Sequence, residues 1–250
     1  MATFIYKPKG KAAEYGDYAL NIYTGCPHKC EFCFGPSVLR RADSEFHNNI
    51  HPRANIVNGV KEQLRQNGMK GKLIHLCFVC DPYPLGYDSS ITRELIKVIK
   101  ESGNHVQILT KNGVDAKRDF DLLDENDWFG ISYSGYSKDE YYNGAKAEPG
   151  ASTPWTRVRA LELAKERGIN TWVSCEPVLN DADVLNFIEQ THCVDLWKVG
   201  KLNYHPSNIN WHNFGHNVEK LLIKKSLASG CEFYIKESLR KEMEHHATEV

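Results

Sequence analysis

Short apolar runs and longer amphipathic stretches alternate along the chain. Residues 73–79 form a nearly continuous apolar run of the kind found in buried parallel strands. Residues 89–102 follow, with Ile91, Leu95 and Ile99 spaced as on one face of a helix. Together these two segments predict a strand followed by a helix.

The same order of strand and helix recurs through the rest of the sequence. Strands are predicted at the further apolar runs 106–109, 129–132, 170–175, 194–199 and 232–235. Helices are predicted at 54–67, 116–123, 154–167, 182–190 and 218–228. Alternation at these lengths implies right-handed βα units and a parallel sheet, so the fold class is α/β. Six or seven such units can close or partly close into a barrel.

Two segments lie outside this alternation. Residues 133–152, rich in Tyr, Gly and Lys, are predicted as an insert, and a charged tail follows the last strand. No internal repeat or low-complexity linker is evident. We therefore expect a single domain over residues 1–250, with a core at about 15–200 and a C-terminal extension at about 201–250.

Composition limits the classes of protein to which the chain can belong. Of its 250 residues, 41% are hydrophobic, which is ordinary for a globular protein with a sizeable core. The formal net charge of −1 gives no global argument for a polyanionic partner, and we interpret Lys7, Lys9 and Lys11 as a solvated face. No run approaches the ~18 apolar residues of a membrane span, and no signal peptide is visible. The sequence thus predicts a cytoplasmic protein.

Three cysteines, Cys26, Cys30 and Cys33, lie within eight residues. Three thiolates on one short loop can hold three irons of a [4Fe–4S] cluster and leave the fourth iron without a protein ligand. An open iron can bind a small molecule and pass it an electron, whereas a purely structural metal site is closed. The spacing CxxxCxxC therefore predicts an iron–sulfur centre with a reactive position.

Two other uses of these cysteines are open. A zinc site would take His28 or His47 as its fourth ligand, although zinc sites usually pair a CxxC with a second, distant pair. A disulfide framework is the other alternative, but it fits poorly with clustered cysteines in a long chain. We interpret His28 itself as a solvated loop residue.

Chemically interesting side chains directly follow the predicted strands. Parallel barrels carry their chemistry at the carboxyl ends of the strands. The residues in those positions are Cys80, Asp81, Lys111, Ser132, Tyr133 and Glu176. The ammonium of Lys111 can pair with a carboxylate ligand. Glu176 can position an amine, act as a base, or form a structural salt bridge or cap.

A second CxxC pair is formed by Cys77 and Cys80. Residues three apart in a strand point to opposite faces, so we expect no metal site there. Cys80 should share a face with Phe78, and Cys77 should lie on the other. The cysteines expected to be small buried hydrophobes are Cys77, Cys175, Cys193 and Cys231.

The chain resembles radical S-adenosylmethionine (SAM) enzymes and, within them, the spore photoproduct lyase-like group, including phage-encoded members. The cluster motif, with Phe32 before its third cysteine, carries the first likeness. The second rests on stretches that cover residues 7–180 in order, namely KPKGKAAEYGDYALNIYTGCPHKCEFCF, CDPYPLGYDSSITRELIKVI, ILTKN, GISYSGY, EPGASTPWTRVRALELAKERGI and VSCEPVL.

This resemblance implies a partial (β/α)6 barrel of TIM type with SAM lying across its mouth. It also implies a [4Fe–4S] cluster on the three cysteines, an external electron donor such as flavodoxin or ferredoxin, and cleavage of SAM to a 5′-deoxyadenosyl radical that abstracts hydrogen. The implied SAM contacts are Phe32, Cys80, Asp81, Lys111 and Ser132. Cys80 departs from the family, which has a hydroxyl residue at that position.

Other departures bear on the reaction. Photoproduct lyases carry tyrosines at the positions of Phe32 and Phe34 and a cysteine near that of Phe78, and these groups return a hydrogen atom to the repaired thymine. Phenylalanine has no such hydrogen to give, so thymine-dimer repair is not expected. A rearrangement fits better, because it can take the hydrogen back from 5′-deoxyadenosine.

The resemblance further implies a thymine-type base in DNA as substrate, whether or not it is already modified. Cys80, Glu176 and Tyr133 are the candidate catalytic residues. Aromatic residues in or beside the insert could stack on a flipped base or pack the insert onto the barrel, and they are Tyr133, Tyr136, Tyr141, Tyr142 and Trp155. Two alternatives stay open, namely radical chemistry on a peptide or small metabolite, and a non-catalytic iron–sulfur or zinc protein that binds nucleic acid.

Overall fold

One sheet of eight strands follows the chain in sequence order in the computed structural model, which describes residues 3–245. The first two strands are antiparallel, and every later neighbour is parallel. The strands are β1 (Ile5–Tyr6), β2 (Tyr18–Leu20), β3 (Leu73–Leu76), β4 (His105–Thr110), β5 (Trp128–Ser132), β6 (Asn170–Cys175), β7 (Leu196–Val199) and β8 (Glu232–Ile235). The α/β fold class and its parallel sheet are therefore confirmed.

Helices connect the parallel strands and cover one face of the sheet. They are α1 (Gly35–Leu39), α2 (Asp43–Asn48), α3 (Ile56–Asn67), α4 (Ser90–Glu101), α5 (Gly113–Ala116), α6 (Lys138–Asn143), α7 (Pro154–Glu166), α8 (Asp181–Gln190), α9 (Trp211–Ser229) and α10 (Glu237–His245). In α4 the apolar stripe behaves as expected, because Leu95 and Ile99 are fully buried in the core. Within residues 3–245, every helix is too short or too polar to cross a bilayer.

The opposite face of the sheet carries polar and aromatic side chains, and β4 shows the alternation clearly. Val106 and Ile108 enter the hydrophobic core, whereas Gln107 between them turns to the other face and meets His75 of β3. His75 Nδ1 lies 3.0 Å from Gln107 Oε1. An amide oxygen only accepts, so this nitrogen carries the hydrogen. Burial lowers the pKa of His75 to about 4, which keeps the ring neutral.

The sheet is open, and residues of the N-terminal segment lie across the opening. The Lys198 ammonium on β7 donates to the carbonyl oxygens of Glu14 (2.7 Å) and Tyr15 (3.2 Å). The Glu14 carboxylate accepts from the Tyr234 hydroxyl at 3.0 Å and from the Glu237 amide at 2.9 Å. These contacts join the start of the chain to its last two strands, so the barrel is partial but bridged.

Several predicted boundaries differ from the structure. The apolar run 73–79 stops being a strand at Leu76, because Cys77 adopts a left-handed φ of 69°. The predicted helix 116–123 is instead the short α5 followed by a 3-10 turn, Lys117–Leu122. The sheet contains seven mutually parallel strands, β2 to β8, where the resemblance implied six units.

The C-terminal part is more ordered than the sequence suggested. Helix α9 begins at Trp211, seven residues before the predicted start, because the Asn210 side chain accepts from the Asn213 amide at 2.9 Å and caps it. The expected charged tail contains α10, whose first amide is bound by Glu14. Strand β8 lies in the region assigned to the extension and continues the sheet. The domain limits stay a prediction.

Candidate functional site

The three clustered cysteines lie on the loop between β2 and α1, residues 21–34, which we call the cluster loop. All three thiols are free and partly exposed. The Cys26 amide donates to the carbonyl oxygen of Phe46 at 3.2 Å, and the Cys33 amide donates to that of Cys30 at 3.0 Å. A Cβ on Gly25 would lie 2.1 Å from the Phe46 oxygen, so only glycine permits this approach.

The donor set fits a [4Fe–4S] cluster better than one zinc ion. Within residues 3–245, the three thiols are not gathered to the spacing at which one ion binds all of them. His47 Nδ1 lies 2.7 Å from the Cys26 carbonyl oxygen. His28 Nε2 accepts from the Leu85 amide at 3.3 Å. Both ring nitrogens of His28 face protein groups, and among residues 3–245 His47 belongs to no cluster of possible metal ligands, so the three thiols are the donor set that would hold the group.

His28 is not solvated, and that prediction was wrong. Its side chain is 1% exposed, and its Nδ1 lies 3.5 Å from Asp81 Oδ2. Burial lowers the pKa of His28 and outweighs the opposing effect of Asp81, so the ring is neutral at pH 7. The residue therefore ties the cluster loop to the end of β3.

The Asp81 carboxylate contacts groups from three parts of the chain. One carboxylate oxygen accepts from the Thr110 hydroxyl at 2.6 Å and from the Tyr83 amide at 2.8 Å. The other accepts from the Lys111 amide at 2.8 Å and faces His28. With both oxygens engaged, Asp81 positions the ends of β3 and β4 against the cluster loop.

Lys111 has a buried carboxylate partner that the sequence did not reveal. Its Nζ lies 3.0 Å from Glu148 Oε1, and Arg157 Nη1 lies 2.7 Å from Glu148 Oε2. Burial would raise the pKa of Glu148, but the two cations outweigh it and lower the pKa to about 2. Burial would lower the pKa of Lys111, but Glu148 outweighs it and raises the pKa to about 12. All three groups are therefore charged at pH 7.

Glu148 lies in the predicted insert, which packs onto the cluster loop. The Gly150 amide donates to the carbonyl oxygen of His28 at 2.9 Å, and the Glu31 amide donates to that of Ala147 at 3.0 Å. A Cβ on Gly150 would lie 2.1 Å from the Pro27 oxygen. The insert thus holds the cluster loop on one side and Lys111 on the other.

Two aromatic residues of the insert cannot stack on a base, because they are buried. The Tyr133 hydroxyl donates to Asp183 at 2.8 Å, and its ring stacks on Phe187 at 3.7 Å between centroids. The Tyr136 hydroxyl contacts Glu148 at 3.0 Å. The structure therefore places Tyr133, a candidate catalytic residue, against α8. Ser132, which precedes it, is buried, and its carbonyl oxygen accepts a hydrogen bond from Arg157 at 3.3 Å.

Glu176 lies at the end of β6 within a polar group. Its Oε2 accepts from the Tyr15 hydroxyl at 3.1 Å and from the Lys236 ammonium. Tyr15 also bonds the Ser174 hydroxyl at 3.0 Å. Burial and the Glu176 charge raise the pKa of Tyr15 to about 12, so the phenol keeps its proton. Glu176 is therefore an oriented acceptor with donors already in place.

Cys77 and Cys80 are neighbours, and the prediction that they face opposite ways was wrong. Their thiols are close enough to interact, and burial raises the pKa of Cys77. Strand geometry does not apply to them, because the strand ends before Cys77. Phe78 stacks on His75 at 4.3 Å, and Tyr15 meets its edge at 5.6 Å.

Four residues at these sites escaped the sequence reasoning. Glu148 and Arg157 carry a weak signal, since both stand in the stretch EPGASTPWTR. Lys236 directly follows β8 and satisfies the strand-end rule that selected Lys111. Tyr15 has no local signal, because it precedes β2 and meets Glu176 across 161 residues.

Comparison with known proteins places these features in a family. A family model described as the radical SAM superfamily matches residues 20–189. An uncharacterized protein of Mycobacterium tuberculosis (strain ATCC 25618 / H37Rv) is 25% identical over 170 residues, which cover 65% of this chain and 49% of that protein. An uncharacterized protein of Acidianus two-tailed virus is 29% identical over 181 residues, which cover 68% and 58%. The chain spans about half the length of the curated relatives it matches.

Among solved structures, a spore photoproduct lyase mutant with bound AdoMet and dinucleoside spore photoproduct has a similar fold. Its TM-score is 0.65 at 12% sequence identity, and the match covers 89% of this chain and 77% of that one. At this identity the likeness shows the fold alone.

Replacing Glu148 should destabilise the protein, because two buried cations lose their anionic partner. Glu148→Gln keeps the shape and removes the charge, and we expect a loss of about 3–5 kcal/mol in unfolding free energy, as for a broken buried pair. The wild type should also lose stability as the pH falls from about 4.5 to about 2, because Glu148 takes up a proton only when unfolded in that window. Denaturant unfolding across pH tests both. Glu162→Gln, at an exposed pair with Arg159, is the control, and an equal loss there would contradict the assignment.

Adding a methyl group at Gly150 should displace the cluster loop. Gly150→Ala places the new carbon 2.1 Å from the Pro27 oxygen, so we expect a large fall in iron and sulfide after anaerobic reconstitution. Gly16→Ala is the matched control, since its methyl would meet only Gln107 Oε1 at 3.6 Å. Normal iron content in Gly150→Ala would show that the insert does not position this loop.

Proposed function

The chain belongs to the radical SAM superfamily, and from this premise we propose that it abstracts a hydrogen atom from a thymine-type base in DNA and rearranges that base. The expected cofactors, a [4Fe–4S] cluster and SAM, are those of the family. One observation carries the radical chemistry: a loop with three thiols lies against the end of a parallel sheet, beside the oriented ammonium of Lys111.

Cys26, Cys30 and Cys33 are the residues that would hold the cluster. When bound, the cluster and SAM supply an organic radical that abstracts hydrogen from a carbon. The protein contributes position and charge. The cluster loop is held by Gly150 from the insert and by His28 through Asp81.

Lys111 is proposed to bind the carboxylate of SAM. Its Nζ lies 5.5 Å from the centroid of the Phe32 ring, and its side chain is 14% exposed, so a ligand can reach it. Glu148 and Arg157 fix the ammonium in place, and the Asp81 carboxylate holds the Lys111 amide. The oriented ammonium can donate charge-assisted hydrogen bonds to a carboxylate ligand.

The other residues predicted to contact SAM are proposed to act in different ways. Asp81 acts by positioning the Lys111 backbone, because its oxygens are already occupied. Phe32 and Ser132 are proposed to border the ligand. Cys80 is the least suited as a direct contact, since its thiol interacts with that of Cys77 and is a weak donor.

The substrate proposal rests on the polar group around Glu176. Tyr15 and Lys236 hold Glu176 Oε2 at the end of β6, whereas Oε1 receives one long contact, of 3.4 Å from Asn203, and is proposed to accept from the imide N–H of a pyrimidine. Glu176 acts in this proposal by accepting a hydrogen bond from the base. The solved structure with the similar fold contains a dinucleoside spore photoproduct, which supports a base as substrate.

The reaction type follows from the residues around Phe78. Phe32, Phe34 and Phe78 lack the weak O–H or S–H bond from which a carbon radical takes hydrogen. The thiols of Cys77 and Cys80 flank Phe78 and interact with each other. The nearby phenol of Tyr15 is bound to Ser174 and Glu176. With SAM bound, the hydrogen would therefore return from 5′-deoxyadenosine, and the net change would be an isomerisation. The electron donor and the cytoplasmic location stay predictions.

Cluster binding can be tested without a substrate. Anaerobically reconstituted protein should contain about four irons and four sulfides per chain. Cys30→Ala should lose most of both and the cluster absorbance, because it removes one of three thiolates. Cys193→Ala, at a half-buried cysteine near the end of α8, should keep them. Stoichiometric zinc without sulfide in the wild type would overturn the assignment.

The isomerisation can be tested with limiting SAM. A modified-thymine oligonucleotide should give many product molecules per SAM, because SAM is regenerated when the hydrogen returns. Deuterium in the substrate should pass through 5′-deoxyadenosine. One 5′-deoxyadenosine released per product would exclude the rearrangement. In that case Tyr15→Phe would show whether the phenol supplies the hydrogen.

A further inference from the structure

Tyr204 is exposed, and the ammonium of a lysine lies over its ring. The residue follows β7 by five positions, and its side chain is 88% exposed. Lys11 Nζ lies 4.7 Å from the centroid of the ring. Tyr204 also adopts a left-handed φ of 66°, which is costly for a residue with a side chain. An aromatic face beside an ammonium is therefore presented to solvent.

This ring adjoins the polar group around Glu176. The preceding residue, Asn203, directs its side-chain amide to Glu176 Oε1 at 3.4 Å and to the Lys201 carbonyl oxygen at 3.0 Å. Lys11 lies in the segment Gly10–Glu14, and the next residue, Tyr15, bonds Glu176. A ligand on Tyr204 would therefore lie next to the site that we propose for the base.

The same edge of the molecule carries uncompensated positive charge. Lys7, Lys9 and Lys11 are exposed, and within residues 3–245 none of them forms an ion pair. Lys201, by contrast, is paired with Glu242. The sequence alone favoured a solvated face for these lysines. Lys11 lies over the Tyr204 ring, and Lys7 and Lys9 precede it closely in the chain, which changes that interpretation.

We propose that Tyr204 together with Lys7, Lys9 and Lys11, which we call the lysine–tyrosine surface, binds single-stranded DNA and leads the target base to the Glu176 group. The lysines contact phosphates, and a base neighbouring the target stacks on Tyr204. This inference rests on the proposed function, since it names the surface through which the DNA is held.

Single-stranded DNA fits this surface better than a duplex. Proteins that bind single strands combine a basic track with aromatic rings, because every base has a face that can stack. In a duplex those faces are already covered. An enzyme that works on a base must also take it out of the stack, which costs least in an unpaired strand.

The test is fluorescence anisotropy with a labelled oligothymidylate of about 16 nucleotides, using anaerobic holoprotein at several salt concentrations. Tyr204→Ala should weaken binding roughly 5- to 150-fold through the lost stacking. Lys9→Gln with Lys11→Gln should weaken it further and lower the slope of log affinity against log salt by about 1.4, as expected for two phosphate contacts. Lys220→Gln with Lys224→Gln removes the same charge from the exposed side of α9 and should change neither value.

Several results would contradict the proposal that this surface binds single-stranded DNA. These are an unchanged affinity in Tyr204→Ala, an equal salt slope in the two double variants, or tighter binding of the matching duplex. SAM cleavage by the wild type without DNA is measured in parallel. SAM cleavage with no DNA binding would contradict the assignment of this surface and support the radical chemistry. DNA binding without SAM cleavage would contradict the proposed reaction and support the surface.

Discussion

The buried carboxylate of Asp81 is the contact on which the candidate site depends. It accepts from the Thr110 hydroxyl and the Lys111 amide on one strand end and from the Tyr83 amide on its own loop, and it faces His28 of the cluster loop. These donors come from parts of the chain that the sheet brings together. If the carboxylate were lost, several buried donors would lose their partner at once, which is costly in a low-dielectric interior. Asp81 therefore links the cluster loop directly to the backbone of Lys111.

A second buried carboxylate, that of Glu148, orients the Lys111 ammonium. It contacts Lys111 and Arg157 in a largely dry environment, and the Asp81 carboxylate lies beside the same lysine, so carboxylates face both cations. The same insert fixes the cluster loop through Gly150. One segment thus holds both the lysine and the cluster loop.

The opening of the sheet determines which residues lie at the proposed substrate site. Because β1 and β8 do not pair, Glu14 and Tyr15 can lie between the sheet edges, held by Lys198 and Tyr234. Tyr15 then reaches Glu176, and Lys11 reaches Tyr204. A closed barrel would leave no room for this segment. The cofactor side and the proposed DNA side are therefore built by different strands around one mouth.

The sequence by itself determined the features that depend on local spacing or on strand order. The cysteine motif, the strands Asn170–Cys175 and Glu232–Ile235, and the strand-end position of Lys111 are of this kind, because periodicity and parallel topology follow from short stretches. Only the tertiary structure decided which side chains meet. It buried His28, brought Cys77 to Cys80, gave Lys111 the partner Glu148, and set Tyr15 against Glu176. Such contacts depend on strand register, on the path of each loop and on a left-handed residue such as Cys77, and no local pattern encodes them.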